Sequence, residues 1–260
     1  MLELNKIYNQ DCLEGMKYID DKSINLILCD LPYGTASKNK NIKWDVVIDF
    51  DLLWEQYRRI IKDDGNIVLT GSQLFTSMLI MSNLEWFRYE LIWEKSKTTQ
   101  FLTAKLMPMK KHENILVFTK NPIAPSVKNK ATYNPQGLIK IDKPKVQKHK
   151  KASSCISGRG NYEGKEFIKE YTNYPHSLLR FANEGKTLHP TQKPLDMFEY
   201  IINTYSNEGD TVLDNCIGSG TTAEACIKTN RNFIGFDNGK DDKTGRWWVD
   251  IANDRIKNII

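Results

Sequence analysis

Three stretches of this chain carry residue types that could do chemistry together. The first is Cys29-Asp30-Leu31-Pro32-Tyr33-Gly34, which follows the apolar run 24–28. A short apolar run closed by turn residues reads as a buried parallel strand, which puts Asp30 at its carboxyl end, where open α/β sheets hold their ligands. Pro32 fixes the backbone and brings no amide hydrogen, so nearby carbonyls can face outward without competition. Tyr33 sets a flat ring beside the carboxylate. These groups suit gripping a planar, amino-bearing ring by its edge and its face, although an ordinary Asp-Pro turn has the same residues. The second stretch is Val212-Leu213-Asp214-Asn215-Cys216-Ile217-Gly218-Ser219-Gly220 followed by Thr221-Thr222, with Asp237 ending the next apolar run. A strand, a tight glycine turn and a helix N-terminus let a ligand approach the backbone closely. An acid about 20 residues further on is placed for a ribose hydroxyl pair. Two glycines, rather than the three of a dinucleotide fingerprint, favour a nucleoside ligand without a pyrophosphate. The third stretch, His189-Pro190-Thr191-Gln192-Lys193-Pro194, is a stiff lead-in to a helix from which Thr191 and Lys193 project polar groups.

The elements that must position these residues alternate. Strands are expected at 6–11, 24–29, 66–70, 88–94, 113–119, 211–214 and 232–237. Helices are expected at 12–19, 50–61, 73–81, 195–205, from the glycine turn through Cys226, and over the amphipathic C-terminal stretch. Alternation of this kind means a doubly wound, mostly parallel sheet, with an antiparallel pair where no helix separates 88–94 from 113–119. From Asn121 to Lys186 the texture changes to turn and loop signals, which reads as an inserted, loop-rich subdomain.

The chain has 260 residues, enough for one large domain or one and a half. No apolar run approaches the ~18 residues of a membrane span, and residues 1–6 lack the apolar core of a signal peptide. Five cysteines, at 12, 29, 155, 216 and 226, form no Cys-x-x-Cys pair. Reduced, buried thiols in a cytoplasmic protein are the expectation, with no metal site. Net charge is +5, but residues 120–186 carry nine net positive charges and the remainder four net negative ones. A basic block on an otherwise acidic protein suits either a polyanion or a solvated, lysine-rich surface.

In combination, Asp-Leu-Pro-Tyr, a basic variable region, His-Pro-Thr-Gln-Lys-Pro and Asp-Asn-Cys-Ile-Gly-Ser-Gly-Thr-Thr resemble the DNA amino-methyltransferases of the β class. The order is that of the β class, with the catalytic motif before the cofactor motif. The resemblance extends to Trp93-Glu94-Lys95, Lys111-His112-Glu113-Asn114 and Tyr133-Asn134-Pro135-Gln136, and is greatest to the small enzymes of bacteriophages and prophages. It implies an α/β fold: the Rossmann-like class I methyltransferase sheet, circularly permuted, with an inserted target-recognition region. Residues 1–120 would be the catalytic half, 121–186 the recognition insertion and 187–260 the cofactor-binding half. The cofactor implied is S-adenosylmethionine. Asp214, Asn215, Cys216, Gly218, Gly220, Thr221 and Thr222 would form its loop, and Asp237 would meet its ribose. Asp11 and Cys12 would lie at its adenine, Thr191 and Lys193 around its methionine moiety. Asp30, the Leu31 carbonyl, Pro32 and Tyr33 would hold the target base, with Lys148, Lys150, Lys151, Arg159 and Arg180 as DNA contacts. There are two departures from the family pattern. Leu31 stands where Pro is usual, and Asn215-Cys216 where Pro-Phe is usual.

The chemistry implied is methylation of an adenine N6 amine in double-stranded DNA. That nitrogen is a poor nucleophile because its lone pair is delocalised into the ring. Acceptors on both N–H bonds would favour a tetrahedral nitrogen, and transfer then depends on positioning and electrostatics. The base must leave the duplex, and Tyr33 would stack on it for roughly 1–3 kcal/mol. Other readings are cytosine-N4 methylation, for which Ser at position 30 is more usual, a DNA-binding protein with a decayed site, and methylation of a protein glutamine amide. Relatives of this kind suggest a homodimer and a cognate restriction endonuclease as partners.

Overall fold

The computed structural model describes residues 2–35, 45–124, 126–148, 164, 166–185, 187–189, 191–257 and 259. Its centre is an eight-stranded sheet built from β1 (Lys6–Asn9), β2 (Ile24–Cys29), β3 (Ile61–Gly71), β4 (Phe87–Thr99), β5 (Lys110–Phe118), β8 (Leu178–Phe181), β9 (Thr211–Asp214) and β10 (Asn232–Asp237). The order is β1-β10-β9-β2-β3-β5-β4-β8. All neighbouring pairs are parallel except β3–β5 and β5–β4. The antiparallel pairing at β5 follows from its connection, because a 3-10 turn at Phe101–Thr103 and no crossover helix separates it from β4.

Helices cover both faces. On one lie α1 (Cys12–Met16), α2 (Phe50–Ile60) and α3 (Phe75–Ser82); on the other lie α4 (Leu195–Tyr205), α5 (Thr221–Lys228) and α6 (Trp248–Lys257). The apolar run of β2 is continuous because its alternating side chains enter two cores: Leu26 and Leu28 pack with α4–α6, Ile27 and Cys29 with α1–α3. α2 shows the local logic well. Asp49 caps it by accepting the Leu52 amide at 3.1 Å, and Leu53, Trp54, Tyr57 and Ile60 form its buried stripe.

The expected strands and helices occur, with shifted ends. β3 begins at Ile61, five residues early, because its pairing with β2 breaks register between Ile24 and Leu26 and resumes at Asn66. The stretch expected to be loop-rich contains more order than that. β6 (Ile139–Lys148) and β7 (Glu166–Thr172) form an antiparallel ladder, and β8 joins the main sheet. The chain forms two compact units, Met1–Asn134 with Ser177–Ile260, and Pro135–His176. The second is narrower than 121–186: Asn134 donates its amide to Thr204 O at 2.7 Å, and Ser177 O accepts from Ile92 N at 2.8 Å, so both flanks bond within the first unit. Among the described residues no helix is long and apolar enough to cross a membrane.

Candidate active site

β9 and β2 are neighbours at the middle of the sheet, and the chain leaves them in opposite directions. β9 leads through α5 to β10 on one side, β2 through α2 to β3 on the other. This reversal opens a crevice beyond the strands' carboxyl ends. Asp214 ends β9 and Asp30 follows β2, so two carboxylates from residues far apart in sequence border the same opening.

On the β2 side, Tyr33 and Thr70, the latter near the end of β3, converge on Asp30. The Tyr33 hydroxyl donates to Asp30 Oδ1 at 2.6 Å and lies 3.0 Å from Thr70 Oγ1, whose hydroxyl also donates to Oδ1. The Tyr33 ring stacks on Phe75 of α3, with centroids 5.0 Å apart. Burial, with the negative charges of Asp30 and Glu113 beside it, holds the Tyr33 hydroxyl well above its ordinary pKa, so it stays a donor. Leu31 buries its side chain in the α1–α3 core, and among the described residues no hydrogen bond reaches its carbonyl.

Lys193 comes to the same place from the loop before α4. Its Nζ donates to Asp30 Oδ2 at 2.5 Å and sits 3.4 Å from Glu113 Oε2. Glu113 Oε1 accepts from Lys95. β5 runs antiparallel to β3 and β4, which brings its Glu113, opposite Trp93, to the sheet end where β2, β3 and β4 finish. Burial works against the Lys193 ammonium, but Asp30 and Glu113 together more than offset it, and its pKa is raised. Sequence reasoning assigned Lys193 to the cofactor's methionine end, whereas here it is bonded to Asp30. It gave no role to Thr70, Lys95 or Glu113, although a lone acid opening the apolar run Ile115–Phe118 was a visible signal.

On the β9 side, the turn is built by two glycines with different tasks. Gly220 (φ +83°) lies against α6, where a Cβ would meet Ala252 Cβ at 2.9 Å. Gly218 (φ +50°) faces open space, where a Cβ would meet nothing nearer than Cys216 O at 4.0 Å. The open backbone there fits a ligand that approaches closely. Asp237 accepts the Gly218 amide at 3.0 Å and the Gly239 amide at 2.7 Å, and burial raises its pKa. Asp214 accepts the Cys216 amide at 3.0 Å and the Thr222 hydroxyl; burial pushes its pKa up to about 6 despite these donors. Asp11 caps α1, accepting from the Leu13 and Glu14 amides, and lies just past β1, whose Asn9 pairs with Asp237. Asn215 is turned inward, with Oδ1 accepting the Tyr57 hydroxyl at 2.5 Å, and Cys12 is buried. These two brace the loop from beneath. Thr221, also buried, is held by Arg255 at 3.0 Å.

The lead-in loop is tied to both halves. His189 Nδ1 accepts the Thr191 amide at 3.2 Å, and its ring packs edge-on against Trp248 with centroids 4.5 Å apart. Gln192, a residue without an expected role, accepts from Ser219 of the glycine turn at 3.2 Å. Of the expected DNA contacts, Arg180 on β8 donates to Glu94 at 2.8 Å and Lys148 pairs with Glu166 at 3.4 Å. Lys150, Lys151 and Arg159 lie outside the described residues.

The type II methyltransferase M.HinfI of Haemophilus influenzae is 29% identical over 98% of this chain and 69% of its own length. The DNA adenine methyltransferase YhdJ of Escherichia coli (strain K12) is 28% identical over 96% of this chain and 84% of its own. The crystal structure of the M1.HpyAVI–SAM complex superposes with a TM-score of 0.62, covering 96% of this chain and 98% of that one at 23% identity, which shows the fold. A family model described as DNA methylase matches residues 24–244, spanning both strand-end clusters and everything between them. The chain belongs to that DNA methylase family.

Proposed function

We propose that this protein methylates the N6 amine of an adenine flipped out of double-stranded DNA. The observation that carries this reading is the placement of the Asp30 cluster and the Gly218–Asp237 cluster at adjacent carboxyl ends across the switch point of the sheet. Methylation forms a nitrogen–carbon bond while the donor's carbon–sulfur bond breaks, leaving a neutral thioether, and one proton passes from N6 to solvent. S-adenosylmethionine, when bound, supplies a methyl group on a positively charged sulfur. Gly218, Asp237 and Asp11 would hold its nucleoside end, with Asp237 pinned by two backbone amides so that its carboxylate is already oriented. Asp30 and the Leu31 carbonyl accept the two N–H bonds of the amine and turn its lone pair out of the ring plane. Tyr33, braced on Phe75, orients Asp30 and offers the ring against which the base lies. The buried walls exclude water from a reaction that needs no enzyme nucleophile.

Residues 1–120 carry the base site, 187–260 the cofactor site, and 121–186 the recognition of sequence. The basic charge of that last region supports a role on DNA phosphates. A homodimer is supported by the exposed apolar side chains of Leu74, Met78 and Met81 around α3 and of Phe101, Leu102 and Leu106 in the β4–β5 turn, which a second copy would cover. Light scattering tests it. The relatives' designation as type II methyltransferases supports a cognate restriction endonuclease and a cytoplasmic site of action.

The deciding experiment is mass spectrometry of nucleosides from unmethylated duplex DNA treated with the protein and heavy-methyl S-adenosylmethionine. Labelled N6-methyladenine is expected. Labelled N4-methylcytosine would overturn the reading of Asp30 but keep the cofactor site. No label would return weight to a decayed site or a protein amide.

A further inference from the structure

Asp30, Lys193, Glu113 and Lys95 form a row of alternating charges at one end of the sheet, and Lys193, Glu113 and Lys95 are each less than one-tenth exposed. A buried ammonium needs a carboxylate partner, and Lys193 has two within reach. It uses Asp30 Oδ2 at 2.5 Å, the oxygen left over once Tyr33 and Thr70 have taken Oδ1. The other, Glu113 Oε2, is buried, accepts no hydrogen bond among the described residues and lies 3.4 Å from the same nitrogen. Lys95 fixes Glu113 by its other oxygen, so Oε2 is held towards Lys193. Lys193 Nζ is also 5.5 Å from the centre of the Tyr33 ring. One ammonium thus occupies both the edge acceptor and the ring that a target base would need.

We propose that Lys193 has two stations. Without a target it neutralises Asp30 and keeps that carboxylate oriented. When an exocyclic amine brings its N–H to Asp30 Oδ2, Lys193 moves onto Glu113 Oε2, where 3.4 Å contracts to a charged hydrogen bond of about 2.8 Å. Glu113 and Lys95 are positioning residues in this scheme, acting through Lys193. The exchange makes the pocket selective: a base without an amine offers Asp30 no donor, leaves Lys193 in place and is not retained. The proposal rests on Asp30 as the acceptor of the target amine.

The test compares binding of duplexes that carry adenine or purine (hydrogen in place of the amine) at the target position opposite an abasic site, so that neither base is paired, once that position is mapped by labelling. The wild type is expected to prefer adenine. Glu113→Gln keeps the shape of the second station but removes its charge, and should lose about 10- to 100-fold of that preference, the worth of a charged hydrogen bond. Its affinity for the purine duplex should not change, which a merely structural defect would not produce. Glu113→Asp, which keeps the charge, should retain part of the preference. If Glu113→Gln does not fold, a structure of the wild type with its target duplex should show Lys193 Nζ within about 3 Å of Glu113 Oε2. Undiminished adenine preference in Glu113→Gln, or Lys193 still on Asp30 in the complex, would overturn the proposal. A wild type with no adenine preference would instead remove Asp30 as the acceptor.

Discussion

The two oxygens of Asp30 are unequal: Oδ1 takes two hydroxyls from the scaffold and Oδ2 one ammonium. Removing the carboxylate therefore removes the proposed acceptor for the target amine but leaves the β9 side intact. Asp30→Ala should abolish methyl transfer while calorimetric affinity for S-adenosylmethionine changes little. Asp237→Ala should do the reverse, weakening cofactor binding by about 10-fold or more, since a charged hydrogen bond contributes roughly 1.5–3 kcal/mol. Unchanged affinity there would take Asp237 out of the ribose site. Asp214 makes a prediction about pH. Its folded pKa of about 6 lies above the ordinary carboxylate value of 3.8, so the stabilisation linked to its protonated form is complete below about pH 4 and is lost as pH rises through 6. Asp214→Asn has no such titration. Its unfolding free energy should therefore gain on the wild type between pH 4 and 7, by on the order of 2–3 kcal/mol. A difference that stays flat over that range would show that Asp214 titrates normally.

At the scale of elements, α4, β9 and β10 have the ends their sequence pattern predicts, because α4 is an amphipathic run that starts after Pro194, and β9 and β10 are short apolar runs that end in Asp. β6 and β7 were not legible for a physical reason. Nearly all of their residues are exposed, so no alternation of apolar and polar residues marks a buried face. The candidate site was legible in part. Asp30, Tyr33, Asp214 and Asp237 stand at strand ends that the pattern locates, whereas the Lys193–Asp30 pair joins residues 163 apart and follows only from strand order. The same limit applies to the glycine turn, where sequence counts two glycines but does not separate their tasks. Gly220→Ala places a methyl group against Ala252 in a left-handed backbone and should destabilise the protein by about 2–4 kcal/mol in urea unfolding. Gly218→Ala meets open space and should lose only the backbone term, about 1–2 kcal/mol. Equal losses would mean that α6 yields to the added methyl.

For the whole molecule, charge is divided between the two units. Residues 135–176 hold nine Lys and Arg against four Asp and Glu, a net +5 that equals the charge of the whole chain, so the other unit is neutral. Each phosphate contact contributes a slope of about −0.9 to the logarithmic salt dependence of DNA binding. Replacing Lys148, Lys150 and Lys151 together by Gln should flatten that slope by roughly 2 to 3, measured by titrations at several salt concentrations. An unaltered slope would make the run a bystander. The strand order also has a consequence for how the protein is made. β9 is the strand that joins β2 to β10, and β1 pairs only with β10. A ribosome working at 5–20 residues per second takes roughly 10–40 s to pass from β2 to β9. Throughout that interval the nascent chain carries β2 with one apolar edge uncovered and β1 without a neighbour, a state that invites chaperones or misassembly. Premature termination anywhere before residue 211 leaves the sheet without its middle, so truncated products of this message are candidates for degradation rather than for partial activity.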